Sequence, residues 1–210
     1  MTEGEWDASA DPQRMLEALR GKASNRKLRM FAVACTRLRL SRSADARSAD
    51  EQQGLEFTLA SLDKAEALAE SGQSPEPGPP VSPGSRARPL VGIWMVDDAA
   101  EAARLCARPD RATRLGPLFL TDGAAFLRCF FPNPFRPPPA VDPSWLAWND
   151  GTVAKLAAAI YDGRRFADLP ILADALEDAG CADAVILAHC RGPGEHVRGC
   201  WVVDLLLGKE

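Results

Sequence analysis

Asp150-Gly-Thr-Val-Ala-Lys-Leu-Ala-Ala-Ala-Ile-Tyr-Asp-Gly163 is the stretch whose reading decides the fold. Val153, Leu156, Ala157, Ile160 and Tyr161 recur at i, i+3, i+4, i+7 and i+8, which is the stripe of a helix with one face in a core. Asp150 brackets its start and Gly163 its stop. The same pattern repeats downstream. Asp168 and Pro170 open a segment with Leu172, Ala175, Leu176 and Ala179 on one face and Gly180 as a left-handed stop. A short helix is predicted from about Asp183 to Arg191, stopped at Gly192, and a last one from about Glu195 to Leu207, stopped at Gly208. Successive helices ending in glycine and joined by connectors of a few residues describe an all-α fold, a bundle of short helices packed antiparallel or at steep angles.

Upstream, Asp11-Pro12 opens a helix with Met15, Leu16 and Leu19 at helical spacing, because proline near a helix start loses no hydrogen bond there. Ser24 or Asn25 caps a second helix whose Leu28, Phe31, Cys35 and Leu38 form one stripe, and a third, about Asp50 to Glu70, carries Leu55, Leu59, Leu62 and Leu68. From Gly72 to Pro89 the chain is too rich in proline for a helix and too poor in apolar residues to bury anything. The expected organisation is therefore an N-terminal helical segment, 1–71, a linker, 72–89, and a C-terminal helical domain, 90–210. Leu90 to Val96 is compatible with a short strand but is assigned to the start of a helix running to Ala107. Leu118 to Phe131 is a helix with Thr121 as its cap, and the prolines from Pro132 to Pro143 force an extended run, with Phe135 as its anchor.

At 210 residues, with 46% hydrophobic and 26% charged residues, the chain has material for one generous domain or two small ones. No apolar run approaches the roughly 18 residues of a membrane span. The start, Met-Thr-Glu-Gly-Glu-Trp-Asp, is acidic where an export signal would be basic, so the cytoplasm is the expected compartment and the six cysteines are expected as thiols. A net charge of −4 argues against nucleic acid as a partner. Arg20, Lys22, Arg26, Lys27, Arg29, Arg37, Arg39 and Arg42 do make one basic run, read here as a solvated face balanced by the acidic 50–70 helix rather than as a phosphate-binding surface. Trp145 and Trp148 are read as closing a core beneath a loop rather than as a peptide-binding face.

The blocks Asn133-Pro-Phe-Arg-Pro137, Leu169-Pro-Ile-Leu-Ala-Asp-Ala-Leu-Glu-Asp-Ala-Gly-Cys181 and Ile186-Leu-Ala-His-Cys-Arg-Gly-Pro-Gly-Glu-His-Val-Arg-Gly-Cys-Trp-Val-Val-Asp-Leu-Leu-Leu-Gly-Lys209 resemble a family of uncharacterised proteins of planctomycete bacteria. The opening, Met1 to Trp6 and Leu16 to Ser24, is similar to the start of the same proteins. The resemblance implies membership and no activity. The chain departs from that family in its Pro-rich middle and in Ala32-Val-Ala-Cys35-Thr36, where relatives are richer in cysteine.

Chemistry concentrates at the C-terminus, where Cys181, His189, Cys190, His196 and Cys200 fall within twenty positions. Cys181-x8-Cys190-x5-His196-x3-Cys200 has the ligand types and number of a structural zinc site. A helix over 183–191 would hold Cys181 and Cys190 roughly 13 Å apart, however, whereas ligands of one zinc lie about 4 Å from one another. The reduced set is Cys190, His196 and Cys200, the last two at i and i+4, with His189 or Cys181 as a possible fourth ligand. The plainer reading is that these cysteines are small buried hydrophobes and no cofactor is bound. His196, Cys200 and Asp204 also form a Cys-His-Asp set in sequence, set aside because Cys200 would sit mid-helix, away from the dipole that activates a thiol. The leading expectation is a non-enzymatic helical module that binds another, unidentified protein. A zinc-stabilised regulatory domain is the alternative, and nucleic-acid binding through the N-terminal arginines a weaker one.

Overall fold

In the computed structural model the described residues are 1–42, 49–73, 98–106 and 116–209. Their regular structure is helical, with no strand among them. None of these helices is long and apolar enough to cross a membrane. The Pro-rich segment from Ser74 and the strand-or-helix question at 90–96 lie outside the described residues.

Two compact units emerge, one of Met1 and Ala8–Leu127, the other of Thr2–Asp7 and Arg128–Glu210. The described residues 98–106 and 116–127 group here with the N-terminal helices, a different division from the sequence-based boundary at residue 90. The reason is packing. Helix α5 (Ala99–Cys106) lies against α3 (Asn25–Arg42) and α2 (Pro12–Ala18), burying Ala99, Ala102 and Ala103. Asp98 caps α5 by accepting from the Ala100 and Glu101 amides, and Asp11 caps α2 by accepting from Gln13 and Arg14.

In this first unit the predicted stripe of α3 is buried, Leu28, Phe31, Cys35 and Leu38 all lying in the core, and α3 packs against α4 (Ala49–Ser71). The basic and acidic faces do meet. Arg26 pairs with Glu70 at 2.7 Å, and Arg37 with Asp63 at 2.5 Å and Glu66 at 3.2 Å. Helix α6 (Gly116–Phe130) begins before Thr121, which is therefore an interior residue and not its cap.

The second unit is built on α8 (Thr152–Gly163), α9 (Leu169–Asp178), α10 (Ala184–Arg191) and α11 (Trp201–Leu207). Val153, Ala157, Ile160, Leu172, Leu176, Ile186, Val202 and Val203 are fully buried in one cluster, on which Trp145 and Trp148 of α7 (Pro143–Ala147) and the turn after it rest partly buried. Asp183 caps α10, accepting from the amides of Val185 and Ile186, whereas Asp168 stands at the N-cap of α9 but pairs with Arg165 instead. The extended run 132–142 is anchored by Asn133 and not by Phe135, whose side chain is 37% exposed. Asn133 donates to the Glu3 carbonyl at 3.1 Å and to Asp7 at 3.0 Å, and its own Oδ1 accepts from the Phe135 amide. Together with ion pairs from Arg136 to Glu3 and Asp7, these bonds bring α1 (Glu3–Ala8) into the second unit.

The largest departure from expectation is at the C-terminus. No helix starts at Glu195; residues 192–200 form an irregular loop and α11 begins at Trp201. Gly199 explains the delay, since its φ of +94° is incompatible with a right-handed helix. Arg198 fixes the loop by donating to the carbonyls of Tyr161 and Asp162 in the last turn of α8, where carbonyls are no longer taken up by the i+4 amides of the helix.

Candidate metal centre

Three separate segments of the second unit converge behind this loop. Cys129 comes from the last turn of α6, His189 from α10, and His196 and Cys200 from the loop. One ligand atom from each of the four lies within 4.8 Å of every other. His189 Nε2 is 3.2 Å from Cys200 Sγ, His196 Nδ1 is 3.5 Å from Cys129 Sγ, and His196 Nδ1 is 3.9 Å from Cys200 Sγ. A tetrahedral zinc with bonds of about 2.3 Å to sulfur and 2.0–2.1 Å to nitrogen has ligand–ligand edges of roughly 3.3–3.8 Å. The three contacts of 3.2–3.9 Å lie close to those edges, and the whole set, spread over up to 4.8 Å, would have to draw in slightly to form a Cys2His2 shell.

Local sequence explains each placement. Cys129 ends a buried helical face, and the next residue, Phe130, is fully buried against Gly199. A Cβ at position 199 would lie 2.2 Å from Phe130 Cε1, so glycine is required for the loop to approach α6 there. Because Phe130 and Gly199 adjoin Cys129 and Cys200 in sequence, that one contact sets both sulfurs. His189 and Cys190 are neighbours on a helix and point about 100° apart. His189 therefore reaches the cluster while Cys190, 1% exposed, is packed into the core.

Of the residues expected as ligands, His196 and Cys200 meet as supposed, though across a turn and not as i and i+4 of one helix. Of the two candidates for the fourth position, His189 joins them. Cys190 and Cys181 lie outside the cluster, both buried in the core. Cys129 was missed, and no local signal marks it, since it stands 67 residues from His196. The sole clue was arithmetical: a site with three ligands in hand needs another from somewhere. Cys200 is likewise not mid-helix, but occupies the N-cap position of α11.

The electrostatics separate the cysteines. Burial pushes the Cys190 thiol up to about 12, reinforced by the nearby Cys200 and Cys181. Burial raises Cys181 as well. Cys200 is fully buried, which opposes its thiolate, yet hydrogen bonds from Cys129, His189 and His196 outweigh that cost and hold it well below the ordinary thiol range. Cys200 is the sulfur poised to be an anion.

Trp201 adds a constraint. Its Nε1–H donates to His189 Nδ1 at 3.1 Å, so in this arrangement the ring carries its proton on Nε2 and donates it to Cys200 Sγ. If His189 were to hold a metal through Nε2, its proton would stand on Nδ1, opposite the indole N–H, and the indole would give up the bond. That loss is about 1 kcal/mol, against about 10–16 kcal/mol of apparent binding free energy for structural zinc at neutral pH. The donor set fits the ion despite it. The ring of His196 meets His189 edge-on at 4.7 Å between centroids, and both imidazoles are half-buried while both sulfurs are buried.

Comparison with protein-family models, with curated proteins and with solved structures gives no match.

Proposed function

We propose that the protein is a zinc-organised helical module in which Cys129, His189, His196 and Cys200 hold one Zn2+ and the metal serves structure rather than catalysis. The observation that carries this reading is the mutual approach of four ligand atoms within 4.8 Å, drawn from segments far apart in the chain. Two thiolates and two imidazoles are a borderline-soft set suited to zinc, and four protein ligands leave no open position for a substrate. The metal would clamp the end of α6 to the loop between α10 and α11, giving a small unit a cross-link that its helices alone lack. A non-enzymatic role follows from the closed shell, with another protein as the expected class of partner.

Metal analysis of the purified protein tests this directly. The expected result is about one zinc per chain, lost in Cys129→Ser and in Cys200→Ser but retained in Cys190→Ser, with a chelator lowering the melting temperature of the wild type and of Cys190→Ser but not of the other two variants. Wild-type protein without zinc, or zinc that persists in Cys129→Ser, would overturn the assignment.

A further inference from the structure

We propose that Cys129 and Cys200 are a modification site for small hydroperoxides, closing to a disulfide and thereby expelling the metal. The release of metal rests on the zinc reading above; the closing of the disulfide does not.

The geometry points to this pair among the five cysteines whose side chains are described. Cys129 and Cys200 Sγ belong to one cluster within 4.8 Å, so a side-chain rotation of the kind a disulfide needs brings them into bonding range. Cys35 lies in the other compact unit, and Cys181 and Cys190 stand outside the cluster, packed in the core. His189 Nε2 at 3.2 Å and His196 Nδ1 at 3.9 Å set two imidazoles against Cys200 Sγ, the sulfur taken here as the nucleophile.

Access selects the oxidant. Cys200 is 0% and Cys129 3% exposed, which denies a bulky disulfide the in-line approach that thiol exchange requires. His189 and His196 are half-buried where both sulfurs are buried, so movement of these rings would have to admit the oxidant, which favours one as small as hydrogen peroxide.

The chemistry balances within the site. The Cys200 thiolate attacks one peroxide oxygen, the O–O bond breaks, and hydroxide leaves, giving a sulfenic acid at Cys200. The Cys129 thiolate then attacks Cys200 Sγ and expels a second hydroxide as the S–S bond forms. The two thiolates lose two electrons in total, and the peroxide gains them. A disulfide sulfur is a poor metal ligand, so two imidazoles alone would remain to hold the zinc, and it leaves.

The test uses the full chain, zinc-loaded and freed of reductant, treated with a few equivalents of hydrogen peroxide beside a metal-stripped sample. Peptide mapping by mass spectrometry locates any cross-link and a chromogenic chelator reads released zinc. The expected result is a Cys129–Cys200 cross-link with about one zinc released per chain, unaffected in Cys190→Ser, and much slower with oxidised glutathione. A cross-link at any other pair, or over-oxidised Cys200 without a cross-link, overturns the proposal even where zinc is bound. A Cys129–Cys200 cross-link in a protein that never held zinc sustains the thiol pair and overturns the metal-release half, together with the zinc reading.

Discussion

Replacing Gly199 with alanine should be among the most damaging single-methyl changes in the second unit. Two costs add. Residue 199 sits at φ +94°, where an L side chain is strained by about 1–3 kcal/mol. The new Cβ also meets the Phe130 ring, 2.2 Å from Cε1 and 2.8 Å from Cδ1, and Phe130 is fully buried, so the ring has no free volume to retreat into. Overpacking of this kind costs about 1–3 kcal/mol. A combined loss of about 3 kcal/mol lowers the melting temperature of a unit of this size by roughly 12–24 °C. The backbone part can be measured separately with Gly208→Ala, where φ is +63° and nothing lies within 4 Å of the added carbon; a loss of about 1 kcal/mol is expected there. Circular-dichroism melts of both variants, with zinc content measured in parallel, decide the matter. Gly199→Ala should melt well below Gly208→Ala and hold less metal, and a Phe130→Leu second change should recover part of the difference. Equal melting of the two glycine variants would refute the claim that the Phe130–Gly199 contact positions the site.

Cys190 should resist iodoacetamide in the native protein at pH 8, because a thiol pushed up to about 12 by burial is thiolate only about one part in ten thousand there; labelling at the rate of an exposed thiol would contradict its core position. Arg191 donates to Glu177 and holds that carboxyl below its ordinary value, a partial desolvation opposing. A depressed folded-state value means stability that is present above the unfolded carboxyl range and is lost as pH falls through the folded value, so Arg191→Met should shift the acid-unfolding midpoint to higher pH. An unchanged midpoint would show the pair to be energetically silent. Asn133→Ala removes two donors that hold α1, and should open Glu3–Ala8 to limited proteolysis at a loss of about 1–2 kcal/mol; a protected N-terminus would place the anchoring elsewhere.

The helices were legible because their causes are local. The stripe Val153, Ala157, Ile160, Tyr161, the helix starts near Asp11 and Asp183 and the left-handed stop at Gly180 act within a few residues of one another, and periodicity and boundary chemistry read them directly. Half of the candidate ligand set was legible for the same reason, since His196 and Cys200 stand a turn apart in a loop rich in glycine, and His189 was already in view beside Cys190. What only the tertiary structure decided was non-local. Cys129 reaches the cluster because α6 ends against Gly199, a contact between residues 69 positions apart that leaves no mark on either local pattern. The exchange of Cys190 for His189 turned on a rotation of about 100° between adjacent helical positions, which is fixed by the face of α10 that meets the core. The sequence extends the last helix back to about Glu195, but the glycine conformation at 199 and the bonds of Arg198 to the end of α8 hold 195–200 as a loop, and in doing so they carry the second sulfur to the first.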